Sequence, residues 1–181
     1  MLNYLIAFFN LIHIGMVRFA KGIIIAMVVI IFTNVVLRFC FNSGLFWSEE
    51  VALMIAVWFS FLAMAIGVKQ GLHINISLIP RDRLPKAVNL FLDKFADLVV
   101  LLVGLVLLRY GTTLVGFTMR SIMPATKWPS GIMYSIVPFS AVFMIWDGIT
   151  ALLGIDTRDE EVNRYLGGEG TLRDVIGGHH A

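Results

Sequence analysis

Long uncharged apolar runs alternate along this chain with short polar or charged breaks, and the runs are long enough to predict helices that cross a bilayer. The clearest lies in residues 47–76, WSEEVALMIAVWFSFLAMAIGVKQGLHINI. Glu49 and Glu50 open it, residues 51–68 carry no formal charge, and Lys69, Gln70 and His73 close it. A spanning helix needs roughly 20 residues to cover about 30 Å, so a helix is predicted over residues 47–70. At helical spacing Glu49, Ala52, Ala56, Ser60, Ala63, Gly67 and Gln70 fall on one stripe. Small residues let another helix approach closely in lipid, where van der Waals contact drives association. This stripe is therefore the candidate joint to other protein.

Three further runs follow the same logic. Residues 22–37 are short for a span, but Arg18, Lys21 and Arg38 can snorkel to the two surfaces, which predicts a first helix over 16–39. Asn34 is its one strongly polar interior residue, suited to a hydrogen bond with a neighbouring helix. Before it, Asn3, Asn10 and Lys21 are separated by whole helical turns, which suits either an amphipathic interfacial helix or an extension of the first span. Asn42, Ser43 and Gly44 form a turn, so helices one and two are antiparallel neighbours. Helix three is predicted over 85–119, opening on Pro85, and helix four over 130–153, with Pro138 as a kink. The fold class is an all-α integral membrane protein with four tilted transmembrane helices in residues 1–155, followed by a polar, acidic and Gly-containing tail over 156–181.

Composition agrees. Hydrophobic residues make up 59% of the 181 and charged residues 14%, against about 25% charged in a soluble domain. The formal net charge of +2 and the lack of a basic run interleaved with aromatics argue against nucleic acid as a partner. Cys40 is the single cysteine, so neither an internal disulfide nor a cysteine metal cluster is available. Nothing basic precedes Arg18 and no small-residue cleavage site follows an isolated apolar core, so a cleavable signal peptide is not expected.

Charge then sets orientation. With the N-terminus inside, the inner segments hold ten Lys and Arg residues and the outer ones four, Arg38, Arg109, Arg120 and Lys127. The positive-inside rule puts both termini in the cytoplasm. Trp47, Glu49, Glu50 and the loop 120–131 then face outward and His73 inward. The loop, with Pro124, Pro129, Arg120 and Lys127, suits either docking to an acidic partner surface or interfacial anchoring. Glu49 and Glu50 are expected to hold Arg38 or Arg120 within the chain, or to face a partner. Asp97 and Arg109 are 12 residues apart, about 18 Å along a helix, so both cannot reach water unaided. Asp97 is expected on a protein-covered or wet side, with a proton or ion relay as the alternative. Asp147 is expected to reach the interface, and Trp58 to face lipid or fill the core.

No nucleophile with its base, phosphate loop or paired metal carboxylates can be read, so no enzymatic activity, cofactor or metal is expected. His13 and His73 are the only histidines before the tail, and as haem ligands they would flank the membrane instead of facing each other within it. A haem-bearing anchor of a redox enzyme, or a self-contained small oligomeric transporter, are the alternatives to a subunit of a larger complex.

Trp47, the Glu49-Glu50 pair, Trp58 and the ending Lys69-Gln-Gly-Leu-His73-Ile-Asn-Ile together resemble the signature of the small membrane subunit, DctQ type, of tripartite ATP-independent periplasmic (TRAP) transporters. The four-span layout, the basic connection after His73 and the region of Pro124, Tyr134 and Pro138 resemble that family too, over roughly residues 18–153. Ala63 and Ala65 depart from it, standing where glycine is frequent. The resemblance implies a bacterial inner-membrane protein paired with a large multi-span subunit that carries the solute by a sodium-coupled, elevator-like movement. A periplasmic substrate-binding protein would deliver an organic acid. The small subunit is then a scaffold without a cofactor of its own. On that picture Ala52, Ala56, Ser60, Ala63, Gly67 or Asp97 would meet the large subunit, and Arg120, Lys127 and Glu49 would lie near the binding protein. The transported substrate is not legible in this chain.

Overall fold

A computed structural model of the chain describes residues 2–69 and 86–154. The basic connection with His73, and the polar tail, lie outside the described residues. The described elements are α1 (Leu2–Phe41), α2 (Ser48–Lys69), α3 (Lys86–Thr118), α4 (Gly131–Tyr134) and α5 (Ile136–Leu152). Among them no strand occurs, only an isolated bridge between Ile122 and Pro129. Four segments, Phe8–Phe41, Ser48–Lys69, Phe91–Thr118 and Gly131–Leu152, are long and apolar enough to cross a membrane.

Of the two readings of residues 1–15, continuation of the first helix is the one observed: no proline stands between Leu2 and Phe41, and Gly15 and Gly22 are carried within the helix. Asn10, His13, Ile14, Val17 and Ala20, at positions i, i+3, i+4, i+7 and i+10, turn inward as one face. α1 stops at Asn42, which takes the left-handed conformation (φ 50°) that asparagine tolerates, and the Ser43 amide donates back to the Leu37 carbonyl at 3.2 Å. The chain then folds down to Leu45, whose amide donates to Asn34 Oδ1 at 2.7 Å. The polar residue of helix one thus ties down the connection itself, not a neighbouring helix. Ser48 Oγ donates to the Leu45 carbonyl at 2.7 Å, closing the turn into α2.

The fourth span is broken at Ser135, between α4 and α5. Pro138 is the cause: it has no amide to donate, and its ring displaces the carbonyl four residues back, that of Tyr134. Just before the break, Trp58 donates its Nε1–H toward the carbonyls of Ile132 and Met133 at 3.2 and 3.1 Å, which ties α2 to α4. This corrects the expectation for Trp58, which neither faces lipid nor merely fills space.

α5 is the central element, packed against α2 on one side and α3 on the other, while α1 lies along α2. The core joins Met16 and Ala20 of α1, Leu62 and Ala65 of α2, and Ile136, Val137, Phe143 and Met144 of α5. The α3–α5 contact rests on glycines. A Cβ on Gly104 would stand 2.9 Å from Ile145 Cγ1, one on Gly111 2.9 Å from Val137 Cγ1, and one on Gly148 3.2 Å from Leu101 Cβ. As the α3 member of these pairs advances along the chain its α5 partner retreats, so the two helices run antiparallel at close range.

Candidate functional site

Chemistry-bearing side chains gather at the two ends of the bundle. At one end, Glu50 sits in the first turn of α2, where a carboxylate is favoured by the helix dipole. Its Oε1 accepts the Ala125 amide at 2.8 Å, and its Oε2 accepts both the amide and the hydroxyl of Thr126 at 2.8 Å. These residues form the tip of a small hairpin, in which the Met123 amide donates to the Trp128 carbonyl at 2.8 Å and the Ser130 amide to that of Ser121 at 2.8 Å. Lys127 lies in the left-handed region (φ 60°) at the bend. The expected pairing of Glu50 with Arg38 or Arg120 is therefore corrected: its carboxylate holds backbone donors of the loop. That leaves Arg120, Lys127 and Glu49 exposed around a fixed hairpin, with Trp47 and Trp128 partly exposed beside them.

At the other end four polar side chains converge from three helices. Lys69 Nζ, at the last turn of α2, donates to Asn10 Oδ1 of α1 and lies within electrostatic reach of His13 and of Asp147 on α5. Asn10, His13, Lys69 and Asp147 are all buried, 2–9% exposed. Asp147 thus does not reach the interface as expected; α1 covers it, with Phe9 stacked on neighbouring Trp146 at a centroid distance of 4.2 Å. On the adjoining flank Lys94 Nζ donates to the carbonyls of Ala151 and Leu152 at 2.9 and 2.5 Å, capping the end of α5. Among the described residues no group of three or more His, Cys, Asp and Glu side chains comes together.

Between the ends, the small stripe of α2 passes through several environments. Gly67 is buried within the chain, Ala52 and Ala56 are half-buried in a groove against α1, and Ser60 and Ala63 are exposed. Ser60 Oγ donates to the Ala56 carbonyl at 2.8 Å, so its exposure leaves no unsatisfied donor. Asp97 is half-buried on α3. Arg109 is exposed, and its Nη1 donates to Thr113 Oγ1 at 2.8 Å, one turn farther along α3, which is the direction of snorkelling away from mid-span. His73 lies outside the described residues.

The buried Asn10, His13, Lys69 and Asp147 cluster was not found by reading spacing. Each member stands at the edge of its own apolar run and looks interfacial by itself.

Comparison with known proteins gives one consistent answer. The family model of tripartite ATP-independent periplasmic transporters, DctQ component, matches residues 27–158. Two Haemophilus influenzae proteins named as TRAP transporter small permeases are similar. One is 24% identical over 113 residues, covering 62% of this chain and 70% of the relative. The other is 28% identical over 120 residues, covering 66% and 72%. A C4-dicarboxylate TRAP transporter small permease protein DctQ of Vibrio cholerae is 30% identical over 54 residues, which is 30% of this chain and 23% of that one.

Proposed function

The chain belongs to the DctQ component family of tripartite ATP-independent periplasmic transporters, and from that premise we propose that it is the scaffold subunit of a binding-protein-dependent importer in a bacterial inner membrane. Members of this family are transporter components, not enzymes, and this one is a multi-pass membrane protein. Its family implies association with a large membrane subunit and a substrate-binding protein. The large subunit carries an organic acid, coupled to sodium, and the present chain widens the stationary part of the complex. Both termini lie in the cytoplasm, so the Glu50 hairpin faces the periplasm.

The observation that carries this reading is the pairing of a family match over residues 27–158 with a bundle in which the buried His13, Lys69 and Asp147 gather near one end and Glu50 ties the loop at the other. A solute pathway would instead need polar side chains aligned along the bilayer depth. The open part of the small stripe, Ser60 and Ala63, together with Asp97, offers faces for the large subunit. Arg120 and Lys127, presented by the hairpin, offer charges to the binding protein.

Purification through a tag on this chain should bring down a large hydrophobic subunit, and an Ala63→Cys variant should crosslink to it. Proteoliposomes holding this chain alone should show no uptake, while those holding both subunits, given binding protein and a sodium gradient, should. Uptake by this chain alone would overturn the proposal.

A further inference from the structure

Between α1 and α2, at the Glu50 end of the bundle, lies a groove of about 750 Å³. Its walls are apolar, Met27 and Ile31 on α1 facing Ala52 and Ala56 on α2, and its mouth carries one cation and one anion, Arg38 and Glu49. The other polar groups at the mouth are already engaged. Asn34 accepts the Leu45 amide, and Ser48 donates to the Leu45 carbonyl. Arg38 and Glu49 are both exposed, and among the described residues neither meets a hydrogen-bond or ion-pair partner.

The length of the groove decides what fits it. Along α1 it runs from Met27 to Phe39, about 18 Å, and along α2 from Ser48 to Ala56, about 12 Å. Half the hydrocarbon thickness is about 15 Å. Past Ala56 the two helices close on the buried Leu62, Ala65, Met16 and Ala20. A helix crossing the bilayer needs twice this depth, so the matching occupant belongs to a single leaflet.

We infer that this groove binds one phospholipid bearing an ethanolamine headgroup. The Arg38 guanidinium takes the phosphate, for which its forked donors are suited. The ammonium group lies against the Glu49 carboxylate, and one acyl chain runs down between Met27 and Ala56. A glycerol headgroup would meet Arg38 but offer Glu49 no cation. A choline headgroup brings a cation without an N–H to donate. Ala52 and Ala56 are small here because a longer side chain would stand where the acyl chain lies. The site lies wholly within this chain and does not depend on the transporter reading.

The test uses the full chain, reconstituted in an equal mixture of phosphatidylethanolamine, phosphatidylglycerol and phosphatidylcholine with matched acyl chains, then read by native mass spectrometry for retained lipid. The wild type should keep one phosphatidylethanolamine in preference to the other two. Arg38→Gln with Glu49→Gln should lower that retention at least about tenfold, since a charge-assisted contact is worth that much. Glu49→Gln alone should turn the preference toward phosphatidylglycerol, a change that misfolding does not produce. Ala56→Phe should expel the lipid with both charges in place. Retention of the three lipids in the ratio supplied, or no change in the double variant, would overturn the inference.

Discussion

A carboxylate that receives three donors at 2.8 Å is an uncommon use for the second glutamate of a helix opening, and it makes Glu50 the residue on which the hairpin depends. Hydrogen bonds to an ionised acceptor are stronger than those between neutral groups, and three of them fix one carboxylate to the loop tip. Glu50→Gln keeps the size but turns one oxygen into an N–H facing other N–H groups. In that variant the Ala125 and Thr126 amides should lose protection in hydrogen exchange, while amides within α2 keep theirs; unchanged protection of the tip would refute the role. The acidic pair was legible in the sequence, but its destination was not. Its partners stand 75 and 76 residues away, and two of the three donors are backbone amides, which no side chain advertises. Trp58 was hidden for the same reason, since its partners are backbone carbonyls 74 and 75 residues away.

At the scale of elements, the apolar runs and their charged edges reveal the number of spans, because the bilayer fixes both length and polarity. Which helices come closest is a separate matter. The small stripe on α2 looked like the tight contact, yet among the described residues α3 and α5 are the long helices that approach closely through glycines, Gly104, Gly111 and Gly148. Those glycines are spread thinly through large aliphatic residues and form no obvious run. Gly104→Leu should therefore destabilise the bundle by about 1–3 kcal/mol, the usual cost of overpacking, as a fall in the melting temperature of the purified protein. Gly116 has nothing within 4 Å of an added Cβ, so Gly116→Ala should leave stability equal or raise it by about 0.5–1 kcal/mol through helix propensity. Equal losses in the two variants would show that the α3–α5 approach is not what the glycines serve.

Across the whole molecule, the buried Lys69, Asp147, His13 and Asn10 join α1, α2 and α5 at one end, as Glu50 joins α2 to the hairpin at the other. Removing one member of a buried charged pair leaves the other uncompensated, at about 3–5 kcal/mol, whereas replacing both by apolar groups is far milder. Lys69→Met should thus cost more than Lys69→Met combined with Asp147→Leu, read as thermal unfolding in a double-mutant cycle; simple additivity of the two losses would refute the coupling. This organisation was beyond reach of spacing, which ranks each residue by its own run and cannot see three run edges meeting. One further consequence follows from the 40 residues of α1. At 1.5 Å per residue it is about 60 Å long, and even at a tilt of about 40°, the upper end of the usual range, it rises about 46 Å. That exceeds the roughly 40–45 Å from one headgroup layer to the other. α1 is thus a rod longer than the bilayer is thick, so at any usual tilt one of its ends projects past the headgroups into water or against a partner.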